Sequence, residues 1–327
     1  MIPSRAVATS KRKRLRRAVR SPLILAAVRV LSVLPLRAAL WLGSLAAAVA
    51  WRLAHRSRRL ALAHLAVAFP ERTEAEREAM ARGMFRHLAW TVMELVAVRS
   101  WEGRLESYVE FSPPTLLHDV LARGRGTVFV TGHVGNWEVM ARKVAHAGIP
   151  NATIAKRAKD AALTRLIESF RKEGGVTTLW REDESTGRNI IRTLRGGKAL
   201  GILIDQDTRV QGVFVPFFGR PAFTPRAAAD LALRFQAPVV VVTTHRRSAN
   251  PLEGHCIEVV EIPYDAHPAD REGEVVRLTA ACSAALEDAI RRHPTEWVWM
   301  HERWKTQPAG DVALAKPVPK TAGLSGR

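Results

Sequence analysis

A histidine followed about one helical turn later by a carboxylate is a compact way to build a general base. The chain has such a pair at His133 and Glu138. Glu138 at one imidazole nitrogen would fix the tautomer and stabilise the imidazolium, leaving the other nitrogen free to take a proton. The same spacing also arises by chance, as a hydrogen-bonded loop histidine beside a solvated glutamate, so other segments have to decide. Asp205 and Asp207 supply two further carboxylates in Leu203-Ile204-Asp205-Gln206-Asp207-Thr208-Arg209. They suit the organisation of a pocket, or the capping of a loop. No third acidic or histidine ligand lies near them in sequence, so no metal site is expected. The two cysteines, Cys256 and Cys282, form no disulfide framework or zinc pattern, which fits a reducing compartment.

Such side chains need a rigid frame. Thr127–Thr131 is a short β-branched and aromatic run ending in turn residues, which predicts a buried strand. Gly132 and Gly135 allow a tight turn and close approach of a ligand, and Asn136 can cap a helix starting at Trp137. His133 therefore belongs on a strand-to-helix loop. Further strands are expected at 152–155, 176–179, 200–204, 239–243 and 257–261, with helices at 138–147, 161–172, 186–195 and 227–235 between them. This alternation predicts an α/β fold with a largely parallel, helix-covered sheet. Asp205 and Asp207 then fall at the carboxyl end of a strand, the edge where such sheets bind ligands.

Before the α/β region, Thr73 and Glu76 form a capping box for a helix from about Glu74 to Val98, whose Met80, Met84, Leu88, Val92 and Leu95 make a core stripe. Val213–Phe218 is apolar and aromatic between Gly212 and Gly219, and reads either as core or as a wall for an acyl chain. Thr224 and Pro225 read as the cap and first residue of a helix whose N-terminus, with Arg226, is a candidate anion site. Lys156, Arg157, Lys159, Arg165, Arg171 and Lys172 offer phosphate contacts or a solvated basic face.

The 327 residues suffice for a sizeable core, and the formal net charge of +19 calls for a polyanionic partner, either nucleic acid or an anionic membrane or phosphorylated lipid. Lys and Arg crowd residues 11–20 and run into apolar stretches at 22–28, 30–36 and 38–51, broken by Arg29 and Arg37. These could span a membrane with snorkelling arginines, lie in its interface, or form a buried hairpin. The basic flank favours a cytoplasmic N-terminus. The expected organisation is a basic tail (1–20), a membrane-associated apolar segment (21–56), a helical region (57–110), the α/β domain (111–305) and a disordered tail (306–327).

Taken together, His133-x4-Glu138, Asp205-Gln-Asp207, Gly212-Val-Phe-Val-Pro-Phe-Phe-Gly219 with Thr224, and Trp297-Val-Trp-Met-His301-Glu-Arg303-Trp-Lys305 resemble the bacterial lipid A biosynthesis lauroyl/myristoyl acyltransferases. Ala66-Val-Ala-Phe-Pro-Glu71 and the basic-then-apolar start extend the resemblance over about residues 20–306. His64 stands where that family usually has Asn, and Lys156-Arg157-Ala158 where some members have Tyr-Arg-Pro. The resemblance implies a glycerolipid-acyltransferase-like αβα sheet domain with an N-terminal membrane-associated helical segment. It implies transfer of a fatty acyl group from an acyl carrier protein thioester to a hydroxyl of a lipid A precursor, or of another anionic glycolipid. The reaction would take place at the cytoplasmic face of the bacterial inner membrane, without a cofactor. On that footing His133 is the base, Glu138 its orienting partner, and Asp205 and Asp207 complete the catalytic set. Arg157 and Arg171 bind acceptor phosphate, and Asn136, Arg209 and Thr224 complete the substrate site. No Ser or Cys is placed to pair with His133 as a covalent nucleophile, so direct attack by the acceptor is expected.

Three other readings compete. A related acyltransferase would use a lysophospholipid or another glycolipid. A basic, membrane-attached nucleic-acid-binding protein would need the cations around exposed aromatic platforms, but they concentrate at the apolar N-terminal segment. A Ser-His-Asp hydrolase would need a Gly-x-Ser-x-Gly elbow, and the sequence has none.

Overall fold

A computed structural model describes residues 27–158 and 160–310. The expected basic tail (1–20), the first residues of the apolar segment, Lys159 and residues 311–327 lie outside the described residues.

Seven strands form one sheet in the order β1-β9-β8-β2-β5-β3-β4. They are β1 (Val109–Ser112), β2 (Thr127–Thr131), β3 (Asn151–Ala155), β4 (Val176–Trp180), β5 (Ala199–Leu203), β8 (Val239–Arg246) and β9 (His255–Glu261). Five neighbouring pairs run parallel, and only β8 and β9 are antiparallel. The expected largely parallel sheet is present, and β2 lies at its centre. Every residue of β2 is buried, as expected of a strand covered on both faces.

Helices α4 (Trp137–His146), α5 (Ala161–Glu173), α6 (Thr186–Arg195), α7 (Ala227–Phe235) and α8 (Arg271–Arg292) cover the sheet. A two-stranded hairpin, β6 (Gly212–Phe217) and β7 (Arg220–Pro225), stands apart from it. Its loop is Phe218-Gly219, both at positive φ, as a tight two-residue hairpin turn requires.

The N-terminal helices α1 (Leu36–Leu53), α2 (His55–Ala68) and α3 (Glu74–Val96) pack beside the sheet. Thr73 and Glu76 close the expected capping box on α3. By length and composition α1 can cross a membrane. One face, with Leu36, Leu40, Ala47 and Trp51, is nevertheless buried in the fold. The Trp90 indole of α3 donates to the Leu40 carbonyl and Ser44 Oγ of α1, at 3.0 and 2.9 Å. Trp41, Leu45, Val49 and Leu53 face outward as an exposed apolar stripe.

Thr224 and Pro225 do not open a helix. They end β7, and α7 begins at Ala227. Pairing with Gly212 and Val213 across the hairpin overrides the local helix-start signal. Thr224 is fully buried and accepts from Arg303 Nη2 at 2.6 Å. Arg226 is held by Asp230 and Glu272, so its guanidinium is already neutralised. The aromatic run resolves toward core: Phe217 and Phe218 are buried, with ring centroids 5.5 Å from Trp297 and 5.6 Å from Trp299 respectively.

Candidate active site

Strands β2 and β5 are register neighbours, with Thr131 opposite Leu203. The residues just beyond their carboxyl ends therefore meet, and those residues are His133 and Asp205. The Asp205 carboxylate accepts His133 Nδ1 at 2.9 Å, the His133 backbone N–H at 2.7 Å and the Trp297 indole N–H at 2.9 Å. Its side chain is fully buried. Burial alone would raise its pKa, but His133 and His301 outweigh that and hold the carboxyl well below the usual carboxylate range. An ionised Asp205 places an imidazole proton on Nδ1 and leaves Nε2 as the ring nitrogen that faces Gln206.

The carboxylate that orients His133 is therefore Asp205, and the expected Glu138 partnership is not formed. Glu138 sits in the first turn of α4 and accepts Arg171 Nε and Nη2 from α5, at 2.9 and 2.6 Å. Its sequence spacing brings it close to the loop, but the helix directs it toward α5. Arg171 is accordingly in a largely buried ion pair, and its Nη1 is buried without a hydrogen-bond partner.

The other expected residues are placed as follows. Asn136 caps α4 by accepting the Val139 N–H, and its amide donates to Glu94 at 2.8 Å, so both ends serve the fold. Asp207 accepts the Thr306 backbone N–H and hydroxyl, which ties down the segment after the Trp297–Lys305 motif, not the imidazole. Arg157 pairs with Asp183 on the surface at 2.7 and 3.1 Å, and Arg209 is exposed.

Four residues not assigned from the sequence complete the site. The indole of Trp137 packs edge-on to His133, at 4.8 Å between centroids, and Trp297 anchors Asp205. His301 lies 4.9 Å from His133, its pKa lowered to about 4 by burial and then by the charge of His133, so it is neutral at ordinary pH. The Gln206 amide nitrogen lies within 3.4 Å of nitrogens on both rings. The Trp297–Lys305 tryptophan-rich motif signalled some role, but its distance in sequence from His133 hid which one.

His133, Asp205 and His301 bring three metal-capable atoms within 4.8 Å, which corrects the expectation that Asp205 lacks a third such neighbour. Three N–H donors already occupy the carboxylate, so the group is organised as a hydrogen-bond network. A second such group, His245, Glu258 and His293, has its imidazoles stacked at 3.9 Å and 8°. Their lone pairs lie in parallel planes and do not converge. Neither thiol is poised for attack: burial pushes Cys282 up to about 12 and also raises Cys256.

Behind the loop lies a second layer. Gly135 has φ +58, and a Cβ there would meet the Thr244 carbonyl oxygen at 2.0 Å, so only glycine fits. The Gly135 N–H donates to the Glu296 carbonyl at 2.8 Å, next to the Val134–Trp297 bridge. The Glu296 side chain accepts the Arg246 backbone N–H, and Arg246 in turn makes a bidentate pair with fully buried Glu94, at 2.8 and 3.0 Å. Glu94 also accepts Tyr108 Oη at 2.6 Å and pairs with His255 Nε2 at 3.0 Å.

Burial pushes the Glu296 carboxyl up to about 7, against the pull of Arg246. A carboxyl raised in the folded state favours folding fully below its unfolded pKa of about 4.3, and that contribution is lost as pH rises through the folded value. Glu296→Gln should therefore melt progressively higher than wild type as pH rises from about 4.3 to about 7. Thermal denaturation at fixed ionic strength checks this, and a difference independent of pH would contradict it.

Between α4 and one face of the sheet runs a mostly apolar cavity of about 50 Å³. Trp137, Glu138, Thr131 and Leu203 line its end nearest His133, and Phe129, Met140, Val144 and Gly201 line its depth. A half-buried, carboxylate-bound histidine at the carboxyl edge of an α/β sheet, near an apolar slot, has the makings of a site for acid–base chemistry.

Comparison with known proteins narrows that class. The family described as bacterial lipid A biosynthesis acyltransferase matches residues 8–306, and the chain belongs to this family. Among its relatives, the lipid A biosynthesis lauroyltransferase of Escherichia coli (strain K12) is 25% identical over 80% of this chain and 83% of its own length. The palmitoleoyltransferase of the same strain is 24% identical over 86% and 89%. The phosphatidylinositol mannoside acyltransferase of Mycobacterium tuberculosis (strain CDC 1551 / Oshkosh) is 25% identical over 58% and 57%. All three are acyltransferases.

Proposed function

We propose that this acyltransferase moves a fatty acyl group from an acyl carrier protein thioester to a hydroxyl of a lipid A precursor. The observation that carries the chemistry is His133, with Nδ1 clamped by buried Asp205 and Nε2 facing the Gln206 amide, on the loop that follows a strand lining an apolar cavity. An alcohol is a weak nucleophile near neutral pH and needs such a base. The acceptor proton passes to Nε2 as the oxygen bonds to the thioester carbonyl carbon. The tetrahedral intermediate then expels the thiolate, and the imidazolium returns the proton to that sulfur. Asp205 stabilises the imidazolium in between. The Gln206 amide N–H is the neutral donor available for the developing oxyanion.

The acyl chain occupies the slot between α4 and the sheet. The exposed stripe of α1 lies on the cytoplasmic face of the inner membrane, where acceptor lipid is at hand. Of the arginines expected at the acceptor phosphate, exposed Arg209 is the one left for it, whereas Arg171 is committed to Glu138 and Arg157 pairs with Asp183. A glycolipid acceptor other than lipid A is the second reading, favoured by the similarity to a phosphatidylinositol mannoside acyltransferase.

The test incubates the purified protein with acyl carrier protein thioester and either the tetra-acylated, Kdo-bearing lipid A precursor or a lysophospholipid, with products weighed by mass spectrometry. One added acyl mass on the lipid A precursor alone is the expected result. Transfer to the lysophospholipid alone would keep the chemistry and remove the acceptor.

A further inference from the structure

One position in the cavity wall carries no side chain. On β2, β3 and β5, alternate residues face α4. Thr131 and Leu203 form one level near His133, and Phe129, Gly201 and Thr153 form the next level down. Strand rise places that second level about 6.6 Å deeper. At its centre, between Phe129 and Thr153, stands Gly201 in β5.

This glycine is not demanded by the backbone, since its φ is outside the positive region and its neighbours would tolerate a methyl. A Cβ built there would find its nearest atoms at 3.4 Å (Thr153 Oγ1), 3.6 Å (Ala152 O) and 3.6 Å (Thr153 Cβ), which is ordinary contact. A glycine in a strand interior ordinarily weakens the strand, and a common reason for keeping one is close approach of a ligand. Gly126 contrasts with it: a Cβ there would strike Leu194 backbone at 2.2 Å, so that glycine is required by packing alone. What Gly201 supplies is space, and in a cavity of about 50 Å³ one methyl removes a sizeable share.

We infer that Gly201 sets how far an acyl chain enters, and so selects the chain length the protein accepts. The inference rests on the acyl-transfer reading for the identity of the occupant, and on the cavity geometry for the position. The residue touches the tail, not the reacting atoms.

The test measures binding and transfer separately, for wild type, Gly201→Ala and Gly201→Val, using acyl-pantetheine thioesters of increasing even chain length. Binding is followed by isothermal titration, and transfer with the matching acyl carrier protein thioesters. Both variants should fold, with melting temperatures at or above wild type for Gly201→Ala. The longest well-bound chain should shorten from wild type to Ala to Val. Affinity for chains that reach the second level should fall about fourfold for each methylene excluded, while shorter chains bind as before. Folded Gly201→Val with an unchanged length profile would overturn the inference, as would a wild type whose affinity ignores chain length. Length-dependent binding without transfer to any acceptor would remove the acyl-transfer reading and leave Gly201 in its role.

Discussion

His133→Ala and Asp205→Asn are each expected to lower turnover by about 10²- to 10⁴-fold, and the double variant by little more than either alone. The Asp205→Asn result follows from the three bonds that Asp205 accepts. One carboxylate oxygen takes the His133 and Trp297 N–H groups, and the other takes His133 Nδ1. An asparagine can keep the first oxygen in place, but then turns its NH₂ toward Nδ1. The imidazole must answer with a lone pair there, which moves its proton to Nε2, the nitrogen meant to act as base. The loss should appear in kcat with KM nearly unchanged, and higher pH should not restore it. Glu138→Gln tests the alternative directly. If it lost as much turnover as Asp205→Asn while retaining wild-type stability, Glu138 and not Asp205 would be the partner that matters.

The largest effect on stability is expected at Glu94. Its carboxylate is fully buried and receives Arg246, Tyr108, His255 and Asn136. Burial opposes its charge, but Arg246 and His255 hold it well below the usual carboxylate range. Glu94→Leu would strip Arg246, whose side chain is 2% exposed, of its hydrogen-bonded counter-charge. Breaking a buried pair in this way costs about 3–5 kcal/mol. For a chain of this size that corresponds to a fall of about 4–7 °C in Tm. Replacing both partners, with Glu94→Leu and Arg246→Met, should recover much of the loss, because no charge is then left unpaired. A Glu94→Leu protein melting within about 2 °C of wild type would contradict this account.

Much of the frame was legible because its signals are local. Thr127–Thr131 alternates too little to be half-exposed and is flanked by turn residues, and it is the central strand. Asn136 does cap the following helix, and Thr73 with Glu76 does close its box. The site was legible only in part. Its base, the loop that carries it and the strand-end aspartates could be found from residue type and turn chemistry. Which carboxylate meets His133 depends on the adjacency of β2 and β5, set by pairing across the whole sheet. A helical-turn spacing favoured Glu138, and tertiary direction overrode it. Thr224 failed for a related reason: Thr-Pro is a good helix start, yet the hairpin captured it. Trp297 and His301 could be noticed but not placed, since nothing local ties them to a residue so far upstream.

The separation of those pieces along the chain has a consequence for the life of the protein. The ribosome delivers α1 before His133, His133 well before Asp205, and Trp297 and His301 later still. Until that final stretch emerges, Asp205 lacks its indole donor and the Glu296 carbonyl does not yet hold Gly135. A chain that stops short of Trp297 thus holds His133 against an aspartate that is itself only partly anchored. The full arrangement forms after the apolar helix has already left the ribosome.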